Sequence, residues 1–514
     1  MLIVGVDCST TAAKAVVVDG AGRVVGAGSS PLHTTTPRPG WHEQDPETWW
    51  TATSLAIASA VERTGRAAEV TAVCIAHQRE SFVCLDERGR PLRAALLWLD
   101  GRATREIAEL GTPEVEALSG KPADITPALY KLAWLARHEP GTLEGAHRVA
   151  DVHGFLVHRL TGRWVTSTSS ADPLALLDVA ARDYAEPLLR LAGVRRDQLL
   201  DLEPAGSALG PLRPEAAAAC GLPPTAVVVA GLGDGQAAGV GAGVLDAAHG
   251  YLNLGTAVLL GTEQHGYRPS RDYRSLVSVV EGNTTLETFL SSGTYLPTWF
   301  RRTFGPSDLC GEPDPALEAA AAALPPGSDR LVTLPFWNAA QTPHWDPRAS
   351  GAMVGWRSQH GPAHMYRSLL EGVAFELHGQ LAGLERGTGQ HLRVLRAMGG
   401  GTRSTLWRQI MADVLERPLE LCTAPEISAL GAAVVAAAAL GVHPSLPAAA
   451  EAMTATGAVV DPDPRASARY AELREVHHAL YPVLAPLLHR LAASGGADPV
   501  HADPVTRDPG SAPS

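Results

Sequence analysis

The sequence predicts an α/β protein made of two related halves, and three observations lead there. At 514 residues the chain is too long for one hydrophobic core and fits two domains of roughly 200 to 250 residues. It opens with LIVGVDCSTTAAKAVVVD, a strand, a tight turn of small hydroxyl residues and a returning strand. The same logic returns from residue 226, where AVVVAGLGD and GQAAGVGAGV precede HGYLNLGTAVLLGT, a strand, a Gly-Thr turn and another strand.

In the first half, GRVVGAG adds a third strand after the GAG turn, giving an antiparallel meander. DPETWW begins a helix, with Asp45 as N-cap and Pro46 at the first helical position. The strand VTAVCIA ends at the polar cluster His77 to Glu80, and a second apolar run ends in LLWLDGR. ITPALYKLAWLARH carries apolar residues at helical spacing.

In the second half, MYRSLLEGVAFELHGQLAGLE is a helix, and the strand LRVLRAMGGG leads through three glycines into the helix STLWRQIMADVLE. The Ala-rich run 427–442 reads as a buried helix, too short to span a bilayer. These readings set domains at 1–245 and 246–490. The remaining residues, 491–514, are Pro, Asp, Gly and Ser without periodicity and are expected to be disordered.

Composition narrows the function. A formal net charge of −12, with 45% hydrophobic residues, argues against nucleic acid or an anionic membrane as partner and leaves small-molecule chemistry. There is no charged and apolar leader pattern, so the expected location is the cytoplasm. Cys8, Cys74, Cys84, Cys220, Cys310 and Cys422 lack CxxC spacing and read as reduced core residues. The pairs His153 and His158, and His477 and His478, lack one-face metal spacing and read as packing or surface histidines. Lysine occurs only at Lys14, Lys121 and Lys131, which makes Lys14 notable beside the first turn.

Several stretches can carry chemistry, each beside a plainer reading. GVDCSTTAAK is a hairpin, or its turn holds a phosphate through Ser9, Thr10 and Thr11, with Lys14 adding charge and Asp7 facing a metal. Asp234 is an N-cap for the next helix, or a carboxylate projecting into a cleft as a general base or magnesium neighbour. Gly399, Gly400 and Gly401 form a tight turn, or let backbone approach a ligand at a helix N-terminus. Gln78, Arg79 and Glu80, with Trp98, Asp100 and Arg102, are surface pairs at strand ends or a grip on several hydroxyls.

Taken in order, seven blocks resemble the FGGY family of carbohydrate kinases from residue 2 to about 485: GVDCSTTAAK, PGWHEQDPETWW, LLWLDGR, GLGDGQAAGVG, LNLGTAVLL, TPHWDPRASGAMVGW, and MGGGTRSTLWRQIMADVLERPL with EISALGAAVVAA. The resemblance implies two actin-like ATPase domains, of ribonuclease H-like fold, with the active site in the cleft between them. It implies ATP and Mg²⁺ as cofactors, transfer to a terminal hydroxyl of a sugar or polyol, and a homodimer. By resemblance Asp234 is the base and also faces the metal with Asp7. Ser9, Thr10, Thr11, Lys14, Gly255 and Thr256 flank the ATP phosphates, and Gly400 and Gly401 approach the adenosine. Gln78, Arg79, Glu80, Trp98, Asp100 and Gln236 bind the substrate.

The substrate is divided between subfamilies. Gln78-Arg79-Glu80 resembles the glycerol kinase strand end, while the tyrosine those kinases place about five residues before the matched lysine, Lys131, is here Thr126. TPHWDP and the LGT loop look more like xylulokinases. D-xylulose is therefore the expected substrate, with glycerol or another sugar alcohol as the alternative. An actin-like ATP-binding protein without sugar kinase activity is a third reading, but it has no need of Asp234 or of the polar strand ends.

Overall fold

Two mixed sheets repeat one strand order, and that repeat places every loop of the site. The computed structural model describes residues 1–304 and 314–494. In the first sheet the strands run Val24–Pro31, Ala12–Val18, Leu2–Cys8, Val70–His77, Val227–Gly233 and Ala208–Pro211. The first three are antiparallel, Val70–His77 and Val227–Gly233 are parallel to Leu2–Cys8, and the last is antiparallel again. The second sheet repeats this with Asn283–Leu290, Val258–His265, His249–Leu254, Val394–Met398, Leu419–Cys422 and Thr456–Val460, adding Arg274–Val277 at its edge. The duplication read from two short turns thus extends through six strands.

GVDCSTTAAK is a hairpin: Leu2–Cys8 pairs with Ala12–Val18, and Asp7 lies opposite Lys14. Strands alternate faces, so adjacent residues at the strand end divide between the core and the cleft. The helix Pro46–Glu62 starts as its sequence directs, with the Asp45 carboxylate accepting from the Glu47 N–H at 3.0 Å. It covers one face of the first sheet with Trp49, Ile57 and Val61. A smaller lobe between Phe82 and Glu203 is inserted ahead of strand Val227–Gly233, and it carries Trp98 and Thr126 to the cleft.

The other face of the first sheet is covered from the far end of the sequence. Helix Ile427–Ala439 packs its alanines and valines on Ile3, Val16, Ala72 and Val229, together with helix Leu446–Met453. It lies so close that a Cβ on Gly5 would stand 1.9 Å from the Ala429 carbonyl oxygen. The run expected as a buried helix over 427–442 is one through Ala439, with 440–442 in the turn that follows, and among the described residues no helix is long and apolar enough to cross a membrane.

Cys8, Cys74, Cys84 and Cys220 are buried free thiols and Cys422 is half-buried and free, while Cys310 lies outside the described residues. The last helix, Pro464–Ser494, runs through 491–494, so the expected disordered tail starts too early by those residues. Residues 495–514 lie outside the described chain.

The second core contains one titrating group of note. Glu376, in helix Pro362–Thr388, is buried, and burial pushes its carboxyl up to about 8. His477 stands 3.6 Å away, but burial pushes it down to about 3, and its Nε2 donates to the Thr333 carbonyl at 3.0 Å, so it is neutral and forms no ion pair. The folded state holds the Glu376 proton more tightly than the unfolded chain. The stability this confers is complete below the usual carboxyl value and lost as pH rises through about 8. Thermal unfolding measured from pH 6 to 9 is expected to fall more steeply for the parent than for Glu376→Gln, and parallel curves would refute the assignment.

Candidate active site

The repeated strand order brings two turns face to face across the cleft. Ser9–Thr11 follows Leu2–Cys8, and Gly255–Ala257 follows His249–Leu254. Beside the first turn, strands Val70–His77 and Val227–Gly233 lead directly into Arg79 and Glu80 and into Asp234. A cavity of about 320 Å³ lies among Ser9, Thr10, Arg79, Glu80, Trp98, Thr126, Asp234, Gly255, Thr256, Arg274 and Phe289. Asn253 also lines it and forms part of the wall of a second cavity, of about 540 Å³, with Asp7, Lys14, Gly399, Gly400 and Glu426. Gly400 continues into a small recess of about 150 Å³ with Gly401, Tyr366 and Trp407.

Asp234 begins the helix Asp234–Gly241 and does not cap it. The N-cap is Gly233, and Asp234 Oδ1 accepts from the adjacent Gly235 N–H at 2.8 Å. That oxygen also meets Arg79 Nε at 2.9 Å, and the side chain is 36% exposed toward the cleft, which leaves Oδ2 for a ligand. The cleft reading of this carboxylate therefore prevails over the cap.

A chain of charges runs from Asp234 into the opposite domain. Arg79 Nη2 meets Glu287 Oε1 at 2.9 Å, Arg274 Nη2 meets the same oxygen at 2.6 Å, and Arg274 Nη1 meets Glu80 Oε1 at 3.0 Å. Tyr251 donates its hydroxyl to Glu287 Oε2 at 2.8 Å. Burial alone would raise Glu287, but Arg79 and Arg274 override it and hold the carboxyl down at about 2. Burial likewise opposes the Arg79 charge, and Glu287, Asp234 and Glu80 keep it in place. A Cβ on Gly235 would stand 2.3 Å from Glu287 Oε2, so only glycine lets the two domains meet there.

Asp7 is the opposite case. Its side chain is half-buried, its Oδ1 is buried without a hydrogen-bond partner, and desolvation followed by the nearby charge of Asp234 pushes the carboxyl up to about 8, with Lys14 pulling the other way. Two carboxylates near enough to repel each other, one with an orphaned buried oxygen, suit a divalent cation. Among the described residues no group of three or more His, Cys, Asp or Glu could hold a metal alone. Magnesium commonly binds through one or two carboxylates and substrate phosphates, which matches this donor set.

The other expected residues divide between cavity wall and support. Ser9, Thr10, Arg79, Glu80, Trp98, Gly255 and Thr256 line the smaller cavity, and Lys14 and Gly400 line the larger. Lys14 Nζ pairs with Glu426 at 2.9 Å, so its charge bridges the halves. Gln78 is buried behind the wall, where its carbonyl oxygen accepts from Thr10 Oγ1 at 3.1 Å and its amide donates to Gln44 at 3.0 Å. Trp98 Nε1 donates to Thr10 Oγ1 at 2.9 Å. Asp100 is buried, accepting from Arg102 Nε at 2.8 Å and the His42 N–H at 2.6 Å, so it anchors the loop that carries Trp98. Gln236 is buried and donates to the carbonyls of Ser169 and Val277 at 3.0 and 3.2 Å. Thr11 is exposed and lines neither cavity. Gly401 lies in the small recess, and Gly399, with φ of +90°, allows the close turn against Asn253.

Asn253, Arg274, Glu287 and Phe289 complete the site without having been singled out in the sequence. Asn253 had a signal: aligning VDCST with LNLGT places it at the position of Asp7. The other three sit on strands that offer no local motif.

Comparison with known proteins identifies the family and the fold. Residues 2–241 match the N-terminal domain, and 250–440 the C-terminal domain, of the FGGY family of carbohydrate kinases. The xylulose kinase of Escherichia coli K12 is 32% identical over 95% of this chain and the whole of that one. The glycerol kinase of Bordetella parapertussis is 31% identical over 86% of this chain and 90% of its own length. The crystal structure of xylulose kinase from Rhodospirillum rubrum superposes with a TM-score of 0.88 at 30% identity, covering 95% of this chain and all of that one.

Proposed function

Because the chain belongs to the FGGY family of carbohydrate kinases, and is an ATP-dependent phosphotransferase, we propose that it phosphorylates a terminal hydroxyl of a small ketose, D-xylulose foremost, with Asp234 as the base. The observation that carries this reading is Asp234 in the wall of the smaller cavity, which meets the larger one at Asn253. Arg79 and Gly235 hold its Oδ1, and its Oδ2 is left to take the hydroxyl proton. Arg79, Glu80 and Trp98 offer donors, an acceptor and a flat wall to the sugar. Thr126, small where a tyrosine would close the cavity, leaves room for a chain longer than three carbons.

ATP occupies the larger cavity in this reading, its adenosine toward Gly400 and Gly401 and its phosphates toward Ser9, Thr10, Gly255 and Thr256. Asp7 and Asp234 would hold Mg²⁺, which when bound would neutralise charge on the phosphates. The backbone N–H groups and hydroxyls of the two turns steady the transferring group, and the interdomain location excludes water from it. The cytoplasm suits an enzyme with free cysteines.

A second substrate reading rests on Arg79 and Glu80, the Gln-Arg-Glu strand end shared with glycerol kinases, and favours glycerol or a short sugar alcohol. A coupled ADP-release assay with Mg-ATP across D- and L-xylulose, D- and L-ribulose, glycerol, erythritol, ribitol and xylitol separates them. The highest kcat/KM is expected for D-xylulose. A preference for glycerol or erythritol would select the second reading, and turnover of none would refute the proposed substrate class.

A further inference from the structure

Strand Val227–Gly233 does not reach Asp234 in regular register. Its partners on Val70–His77 advance from Cys74 opposite Val229 to Ala76 opposite Leu232, so three steps on one strand answer two on the other. The extra residue is a β-bulge. Ala230 turns its backbone outward, donating to Ser207 O and accepting from Gly206 N, both at 2.8 Å. Gly231 follows, pressed so closely on the neighbouring strand that a Cβ would stand 1.8 Å from the Ile75 oxygen.

The Gly231 N–H donates to Nε2 of His153 at 2.8 Å. His153 is the second residue of helix Val152–Thr161 and is fully buried. A backbone N–H can only donate, so Nε2 is the unprotonated nitrogen and the ring proton sits on Nδ1, which donates to Thr166 Oγ1 at 3.2 Å. The imidazole is therefore held at both ends in one tautomer. Its ring lies beside His77, whose centroid is 5.9 Å away and which pairs with Gly233.

Side chains alternate along a strand, so one inserted residue moves everything after it to the opposite face. The insertion lies three residues before Asp234. Without it, the carboxylate would not leave the strand on the side where Arg79 and the first turn stand.

We propose that His153 is a positioning residue for phosphoryl transfer: its neutral imidazole fixes the bulge at Gly231 and thereby aims Asp234 into the cleft. This rests on Asp234 being the base, so Asp234→Asn is assayed in parallel. The decisive variant is His153→Leu, of similar volume and without an acceptor. Its kcat for sugar-dependent ADP release is expected to fall roughly 10- to 100-fold, with KM for sugar and ATP within about threefold, because a reacting group is displaced and no ligand contact is removed. His153→Gln places an amide oxygen near the lost Nε2 and is expected to recover kcat to within about threefold of the parent.

A His153→Leu enzyme at parental kcat overturns the proposal. So does a kcat that falls equally in the Leu and Gln variants while both KM values rise, since that marks general damage to packing. If His153→Leu does not fold, Thr166→Val decides: it removes the acceptor of the Nδ1 proton, and a lower kcat at unchanged KM supports the proposal while parental kcat refutes it. Full activity in Asp234→Asn would instead refute the assignment of the base.

Discussion

Asp234→Asn is expected to lower sugar-dependent ADP release by about 10²- to 10⁴-fold, the usual contribution of a general base. Asparagine keeps the size of the side chain and can still accept from Arg79 Nε and the Gly235 N–H, so the strand end and the bulge behind it should be unchanged. The loss should therefore appear in kcat, and nucleotide binding followed by calorimetry in the absence of metal should survive. Binding lost together with turnover would assign Asp234 to the nucleotide site and not to proton transfer. Slow turnover that recovers at high pH would favour a hydroxyl that ionises without assistance.

Glu287→Leu is expected to destabilise the protein by roughly 3–5 kcal/mol, the range for removing one partner of a buried ion pair. Glu287 is fully buried and receives Arg79, Arg274 and Tyr251 together. A leucine leaves both guanidiniums partly unpaired in a place where water cannot replace the carboxylate. Urea unfolding measures the stability, and the sugar KM should rise as well, because Arg79 and Glu80 lose the anchor that fixes them against the cavity. Glu287→Gln, which can still accept hydrogen bonds from both arginines, should lose less on both counts. A Leu variant as stable as the parent would show that the arginines find other partners and that the network does not tie the domains together.

The parts of the site that were legible in the sequence are those where chemistry and chain neighbourhood coincide. The turn at Ser9 and Thr10, the strand end at Arg79 and Glu80, and Asp234 beside its glycines each announce themselves within about five residues. Which side chain of a polar cluster faces the cavity was not legible, because it depends on backbone detail. Alternation would put Gln78 and Glu80 on one side and Arg79 on the other. Glu80, however, adopts a left-handed φ of 60°, which breaks the alternation and lets Arg79 and Glu80 share the cavity while Gln78 supports Thr10 from behind. Trp98, on the wall, and Asp100, in the buried anchor beneath it, part at a turn in which the Asp100 N–H donates to the Leu97 carbonyl at 3.0 Å. Glu287 and Arg274 were invisible because their meaning lies in partners some two hundred residues away, across an interface that only the assembled sheets create.

The duplication was legible at its two turns, yet the sheets are not closed by their own halves. Helix Ile427–Ala439 seals the face of the first sheet that presents Ile3, Val16 and Ala72. This imposes an order on biosynthesis. At about 5–20 residues per second, the nearly 200 residues between Gly241 and Ala439 take roughly 10–40 s to translate. Until then the apolar face of the first sheet has only the short helix Asp234–Gly241 to cover it, so the N-terminal half cannot close its core before nearly the whole chain has been made.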